Sequence, residues 1–272
     1  MTAVAIPTPV GAERRSPFNT AVRDALTVTW RNLISMRRNT QVLVFSTIQP
    51  IVFVLMFRYV FGGAIRVPGV THYVDYLMPG VFAQTVVFGS VQTGVALAED
   101  MHTGIVERFR ALPMARSAVL AGRTLADLVR NVFVVSLMVL IGVIVGWRVH
   151  TSVFQAACAL LLMLAFSHAL AWIFAIVGMS AHSAEAAQAA AFPVLAPLVF
   201  ASTAFVSAGS MPGPLKWFAE HQPVSIVIDA VRSLTYGGIF QDPEKVLAAV
   251  IWTVAIIAIA APVAVGIYRR KV

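Results

Sequence analysis

The chain is short of charge. Of its 272 residues, 12% are charged and 59% are hydrophobic, and the mean hydropathy is +0.83. A soluble domain carries about twice that share of charge, so most of this chain must face lipid or other apolar helices. Cysteine is nearly absent: Cys158 stands alone in an apolar run, which excludes an intrachain disulfide. No GxxxxGK[ST] phosphate loop is present, so the chain does not bind ATP by that route. No cluster of His, Cys and carboxylates has metal-ligand spacing, and nothing resembles a nucleophile elbow. No internal sequence repeat stands out, although so apolar a chain can hide an inverted structural one.

Positive charge, by contrast, is in excess. The net charge is +8 and the pI about 10.4, values that raise the question of nucleic acid. No basic patch is interleaved with aromatics, so no nucleic-acid partner is expected. The cations collect instead beside apolar segments, as topology signals do.

The first twenty residues lack the order of a signal peptide. Pro7, Pro9 and Gly11 interrupt a short apolar beginning, and Arg14 and Arg15 come after it. A flexible cytoplasmic tail is expected. From Asn19 to Arg38 the pattern turns helical. Val22, Leu26, Trp30 and Leu33 make an apolar stripe, with Arg23, Asp24, Arg31 and Arg37 mostly elsewhere. This suits a helix in the membrane interface with Trp30 at headgroup depth; a soluble helical lead-in is the plainer alternative.

Six apolar runs follow, at about 41–61, 77–98, 125–147, 153–179, 187–207 and 246–267. Each has about the 20 residues needed to cross a hydrocarbon core of roughly 30 Å. Pro50 should kink the first run, and Pro193 and Pro197 should bend the fifth. Arg58 can snorkel from the end of the first. The second carries a stripe of Thr85, Gly89, Gln92 and Ala96, which suits close helix packing or a substrate path. In the third, Asp127 and Arg130 can pair on one face. His168 in the fourth suits a proton relay or a hydrogen bond to a neighbouring helix.

Two stretches between the runs carry the information. Residues 99–123 hold Arg108, Arg110, Arg116 and Arg123 against Glu99, Asp100 and Glu107. Ile105, Val106, Phe109 and Leu112 share one helical face, and Pro113 ends it. The result is a short amphipathic helix that either meets a soluble partner or lies on the lipid surface. Residues 209–240 predict two short helices begun by Pro214 and Pro223 and closed by Gly237 and Gly238. Asp229 and Arg232 can pair on the second, which is too short to cross. A pair dipping into the outer leaflet fits, with a surface hairpin as the alternative.

Thirteen cations fall in the segments that would be inside if both termini are cytoplasmic, and five in the outer ones. That ratio favours six crossings with both ends inside. The expected fold is an all-α membrane protein. It has a tail and interfacial helix at 1–40, a single six-span domain at 41–268 and a basic tail at 269–272.

The stretch EDMHTGIVERFRALPMAR, residues 99–116, resembles the cytoplasmic signature of ABC type-2 permeases, an acidic residue followed by G-x-x-E-R-x-R-x-L-P-x-x-R. Gly104, Glu107, Arg108, Arg110, Leu112, Pro113 and Arg116 carry the match. The run HQPVSIVIDAVR, residues 221–232, with Gly237 and Gly238 after it, is similar to the family's outer loop before the last span. Gln222-Pro223 stands where Asn-Pro is usual, as in the daunorubicin-resistance-type branch.

The resemblance implies an exporter of amphipathic drugs, lipids or polyketide-like molecules in a bacterial cell membrane. It implies two permease chains, as a homodimer or related heterodimer, with the substrate path between them, and separate ATP-binding subunits that hold ATP and Mg. The permease itself would hold no cofactor and no ATPase site. A coupling helix over 104–112 would seat in the ATPase, anchored by Ile105 and Phe109, with Glu107 and Arg108 in polar contact. The rival reading is a proton-coupled secondary transporter using His168 and Asp127.

Overall fold

A chain segment in hydrocarbon must satisfy its own backbone groups, and this apolar sequence does so with helices. The computed structural model describes residues 17–38, 40–65, 67, 69–105 and 116–271, and there is no strand among them. Helix α1 (Pro17–Arg38) precedes α2 (Thr40–Leu55), which runs on into a π-helical segment, Met56–Phe61. The long helices are α3 (Tyr73–His102), α4 (Arg116–Val145) and α5 (Val153–Ser180). Then come α6 (Ala184–Phe200), α7 (Gly213–His221), α8 (Pro223–Thr235) and a last long helix, α9 (Pro243–Lys271).

Among the described residues, four helices are long and apolar enough to cross a membrane: α3, α5, α9 and residues Ala118–Val145 of α4. The chain is therefore a multi-pass membrane protein. Two further segments, Thr47–Phe61 and Ala184–Phe200, are apolar but shorter. Local signals set several boundaries. Ser152 and Gln155 form a capping box at the start of α5, which satisfies amide groups that the first turn cannot. Pro214 and Pro223 open α7 and α8 as expected.

α3 is the hub. Its apolar window is 72% buried, against 17% for that of α9. It packs mainly on α5 and α6, with α4 and α8 also against it. The closest crossing is made by two glycines. A Cβ on Gly178 of α5 would lie 2.1 Å from the Gly94 carbonyl oxygen of α3. Only glycine allows the backbones to approach so far, which maximises packing where lipid supplies no hydrophobic drive.

α1 lies along α4, where the Thr29 hydroxyl donates to the Gly122 carbonyl at 3.1 Å. Ala25, Val28 and Asn32 are buried on that side, while Val22, Leu26 and Trp30 remain exposed. The apolar stripe read from the sequence is thus the outward face.

The fifth apolar run was expected to stay helical to about 207, but α6 stops at Phe200. Pro193 and Pro197 remove two amide donors, and the chain then turns through 201–207. Other side chains take the turn's carbonyls. Tyr76 donates to Thr203 at 2.9 Å, Tyr73 to Phe205 at 2.8 Å, and the Gln222 amide to Leu198 at 2.8 Å and Ala201 at 3.3 Å. Phe205 stacks on Phe57 with centroids 4.4 Å apart. Irregular backbone in so apolar a bundle is tolerated because protein encloses it.

Candidate functional site

The motif of residues 104–116 sits between α3 and α4. Gly104 has φ +70 just after α3 ends, and Ile105 follows. Glu107, Arg108, Phe109, Arg110, Leu112 and Pro113 lie outside the described residues, as does the side chain of Arg116. What the structure does describe is the bundle that carries the motif.

A ladder of charges runs inward from that end. Arg31 of α1 lies 3.9 Å from Asp100 near the end of α3, and Arg123 of α4 reaches the same carboxylate at 3.8 Å. Arg123 also lies 3.7 Å from Asp127, and Asp127 lies 3.5 Å from Arg130. These separations are ion pairs rather than hydrogen bonds. True hydrogen bonds hold the inner rungs. Thr93 donates to Asp127 at 2.6 Å, and Arg130 Nη2 donates to the Gly89 carbonyl at 2.6 Å. Asn131 then bonds Ser167 of α5, whose carbonyl accepts from Ser90 at 3.2 Å.

The Asp127–Arg130 pair is legible in the sequence, where Arg123 reads only as a topology charge. Residues 123, 127 and 130 are spaced i, i+4, i+7, one helical face. That spacing was the available signal.

Arg130 and Asn131 border a cavity of about 90 Å³ between α2, α3 and α4. Gln49, Pro50, Gln84, Phe88 and Gln92 line it as well. The stripe of Gly89 and Gln92 therefore serves both a close contact and a polar cavity wall.

The second expected site lies at the other end of α3. Tyr76 and Asp100 are 24 residues apart on that helix, roughly 36 Å along its axis. Here the structure brings the predicted residues together. Arg232 is 1% exposed and donates to the carbonyls of Tyr76 at 3.0 Å, Thr203 at 2.7 Å and Ala204 at 3.1 Å. Its Nη1 pairs with Asp229 at 3.0 Å. Asp229 also accepts from Lys245 of α9 at 2.7 Å and from Thr203 at 3.0 Å. Gly237 (φ +67) and Gly238 (φ +52) turn the chain from α8 towards α9, in a backbone region that suits glycine. Pro223 starts α8. Arg232 thus staples α8, the start of α3 and the turn after α6.

His168 does not bond a neighbouring helix through Nε2. That nitrogen accepts from Trp172, one turn along α5, at 3.2 Å. Among the described residues, no hydrogen bond or ion pair joins His168 to Asp127.

The comparisons with known proteins agree with this architecture. Residues 23–236 match the family described as ABC-2 type transporter. The chain is 34% identical over 265 residues to the daunorubicin resistance ABC transporter permease protein DrrB1 of Streptomyces coeruleorubidus, covering 97% of this chain and 92% of that one. It is 27% identical over 252 residues to the probable doxorubicin resistance ABC transporter permease protein DrrC of Mycobacterium tuberculosis, covering 92% and 89%. The proton-coupled alternative is not favoured. A bundle of apolar helices, an inward ladder of paired charges and these matches lead to one assignment: the chain belongs to the ABC-2 type transporter family, as a membrane permease.

Proposed function

We propose that this permease is the membrane half of an ATP-driven exporter, which moves an amphipathic drug-, lipid- or polyketide-like molecule out of a bacterial cell. The observation that carries the reading is the identity over nearly the whole chain with a permease named for daunorubicin resistance. A separate ATP-binding subunit holds ATP and Mg, and this chain supplies no ATPase site. A second permease chain completes the path.

The finer layout follows. α2 and α6 complete six crossings, with both termini on the cytoplasmic side and α7–α8 in the outer leaflet. Two contacts support it. Arg31 meets Asp100, and Lys271 donates to the Met179 carbonyl at 2.6 Å. Both place α1 and the end of α9 at the motif's end of the bundle. The helix over 104–112 docks in the ATPase, with Ile105 and Phe109 as anchors and Glu107, Arg108, Arg110 and Arg116 in polar contact. Motion of that helix passes into α3 and α4, which flank it. The charge ladder, strung between the same two helices, ties their displacement together.

The test is a pair of variants, Arg108→Glu and Phe109→Ala. On a lipid surface each cation contributes only about 1 kcal/mol, and six spans already hold the protein in place. In a docked contact a reversed charge costs several-fold more, and a lost aromatic anchor about 2 kcal/mol or more. Both variants should insert normally yet lose co-purification with the ATPase and substrate-stimulated ATP hydrolysis. Wild-type values for both would return the helix to the lipid surface.

A further inference from the structure

The cavity between α2, α3 and α4 has a buried acceptor that the protein leaves unused. Gln84 is 4% exposed, and its Oε1 receives no hydrogen bond among the described residues. A buried acceptor left without a donor is destabilising, and an apolar side chain of similar size would avoid that cost. Packing therefore does not account for Gln84. Its buried polar neighbours at the wall are engaged. Arg130 donates to the Gly89 carbonyl and to Asn131 Oδ1, and it pairs with Asp127. Asn131 donates to Ser167, and Thr85 to the Val81 carbonyl at 2.7 Å.

The unused atom sets the chemistry of a ligand. Gln84 Oε1 only accepts, so the ligand must bring a hydrogen. Carboxylates, ketones and ethers bring none. An ammonium brings three, but none of the described residues lining the cavity is a carboxylate, and a buried cation without an anion is costly. A neutral donor remains, and a hydroxyl is the smallest. It also accepts, which suits the NH2 groups of Gln49 and Gln92 on the same wall. The terminal torsion of a glutamine is broad, so a small turn sets Oε1 on the incoming O–H. Pro50, Phe88 and Val134 supply apolar surface. About 90 Å³ admits the end of a molecule rather than a whole drug. Gln49 is exposed at the mouth, so the remainder can extend outward.

We propose that this cavity, inside a single permease chain, is a binding subsite for the hydroxyl-bearing end of a neutral amphipath. The ligand O–H donates to Gln84 Oε1, and its oxygen accepts from the carboxamide of Gln49 or Gln92. The apolar body of the ligand leaves past Gln49. The inference rests on the exporter reading for the ligand's role and adds to it a recognition site in each chain, separate from a path between two chains.

The experiment uses the full-length permease in nanodiscs of dioleoyl phosphatidylcholine. The probe is 9-anthracenemethanol, a fluorescent neutral alcohol. Its methyl ether, 9-(methoxymethyl)anthracene, keeps the oxygen and lacks the donor. The alcohol should bind saturably above empty discs, and the ether about tenfold more weakly, the equivalent of one hydrogen bond. Gln84→Leu should weaken the alcohol about tenfold and leave the ether nearly unchanged, so that the preference for the alcohol disappears. The same variant should melt at an equal or higher temperature, because it removes an unpaired buried group.

Displacement of the bound alcohol by dioleoylglycerol would identify the hydroxyl as a lipid's. Its persistence would identify a non-lipid amphipath, and either result upholds the subsite. Equal binding of alcohol and ether to the wild-type protein overturns it, and so does an unchanged alcohol affinity in Gln84→Leu. A permease that co-purifies with no ATP-binding subunit would fail the exporter reading alone. The alcohol and ether titrations need no ATPase, and they would still decide the subsite.

Discussion

The Arg232 guanidinium carbon lies 3.5 Å from the centroid of the Tyr76 ring, while the same side chain bonds the Tyr76 carbonyl. One residue of α8 thus holds both the ring and the backbone carbonyl of a residue at the start of α3. Lysine cannot reproduce this, because its ammonium is a point charge without a planar fork. Arg232→Lys and Arg232→Leu should each lower the melting temperature of the purified permease. Breaking so buried a pair costs about 3–5 kcal/mol. An unchanged melting curve for the lysine variant would show that the staple is not a structural lock.

At the α3–α5 crossing, even one methyl group is too much. Gly178→Ala should destabilise by about 1–3 kcal/mol, the usual range for overpacking, because its Cβ would sit 2.1 Å from the Gly94 oxygen. Gly266→Ala on α9 is the matched control. Nothing lies within 4 Å of its Cβ, and alanine gains about 1 kcal/mol of helix propensity. Thermal unfolding in detergent should separate the two in opposite directions. Equal curves would contradict the close crossing.

The ladder makes a double-mutant prediction. Asp127→Leu leaves Arg123 and Arg130 without their shared carboxylate and should cost about 3–5 kcal/mol. Adding Arg130→Met removes one of the stranded cations. The double variant should recover part of the lost stability, as apolar replacements of buried ion pairs do. Additive losses in the two variants would mean that the charges do not act as a unit.

Topology is open to chemical labelling. In a Cys158→Ala background, single cysteines replace Ala3, Ser210 and Val272. Ser210 is exposed in the turn before α7. An impermeant thiol reagent added to intact cells should reach only the residue-210 cysteine. Labelling at residue 3 or 272 from outside would overturn the proposed orientation.

Much of the bundle is legible in the sequence. The helices α3, α5 and α9 coincide with long apolar runs, and Pro214 and Pro223 marked the starts of α7 and α8 to within a residue. Periodicity and proline chemistry act over a few residues, so they survive in a string of letters. The fifth run misled because hydropathy is blind to where carbonyls find donors. Residues 201–207 are apolar enough to continue a helix, yet Arg232, Tyr73 and Tyr76 hold them in a turn.

Composition, cation placement and the motif at 99–116 determined class and family, because each is a property of a segment facing lipid, water or a partner. The polar sites were decided only by the tertiary structure. Arg232 and Tyr76 are 156 residues apart, and Gln84 gains meaning only when α2 and α4 close a cavity around it. In an apolar interior a polar group is defined by the partners it finds or lacks, and those partners come from distant turns of the chain.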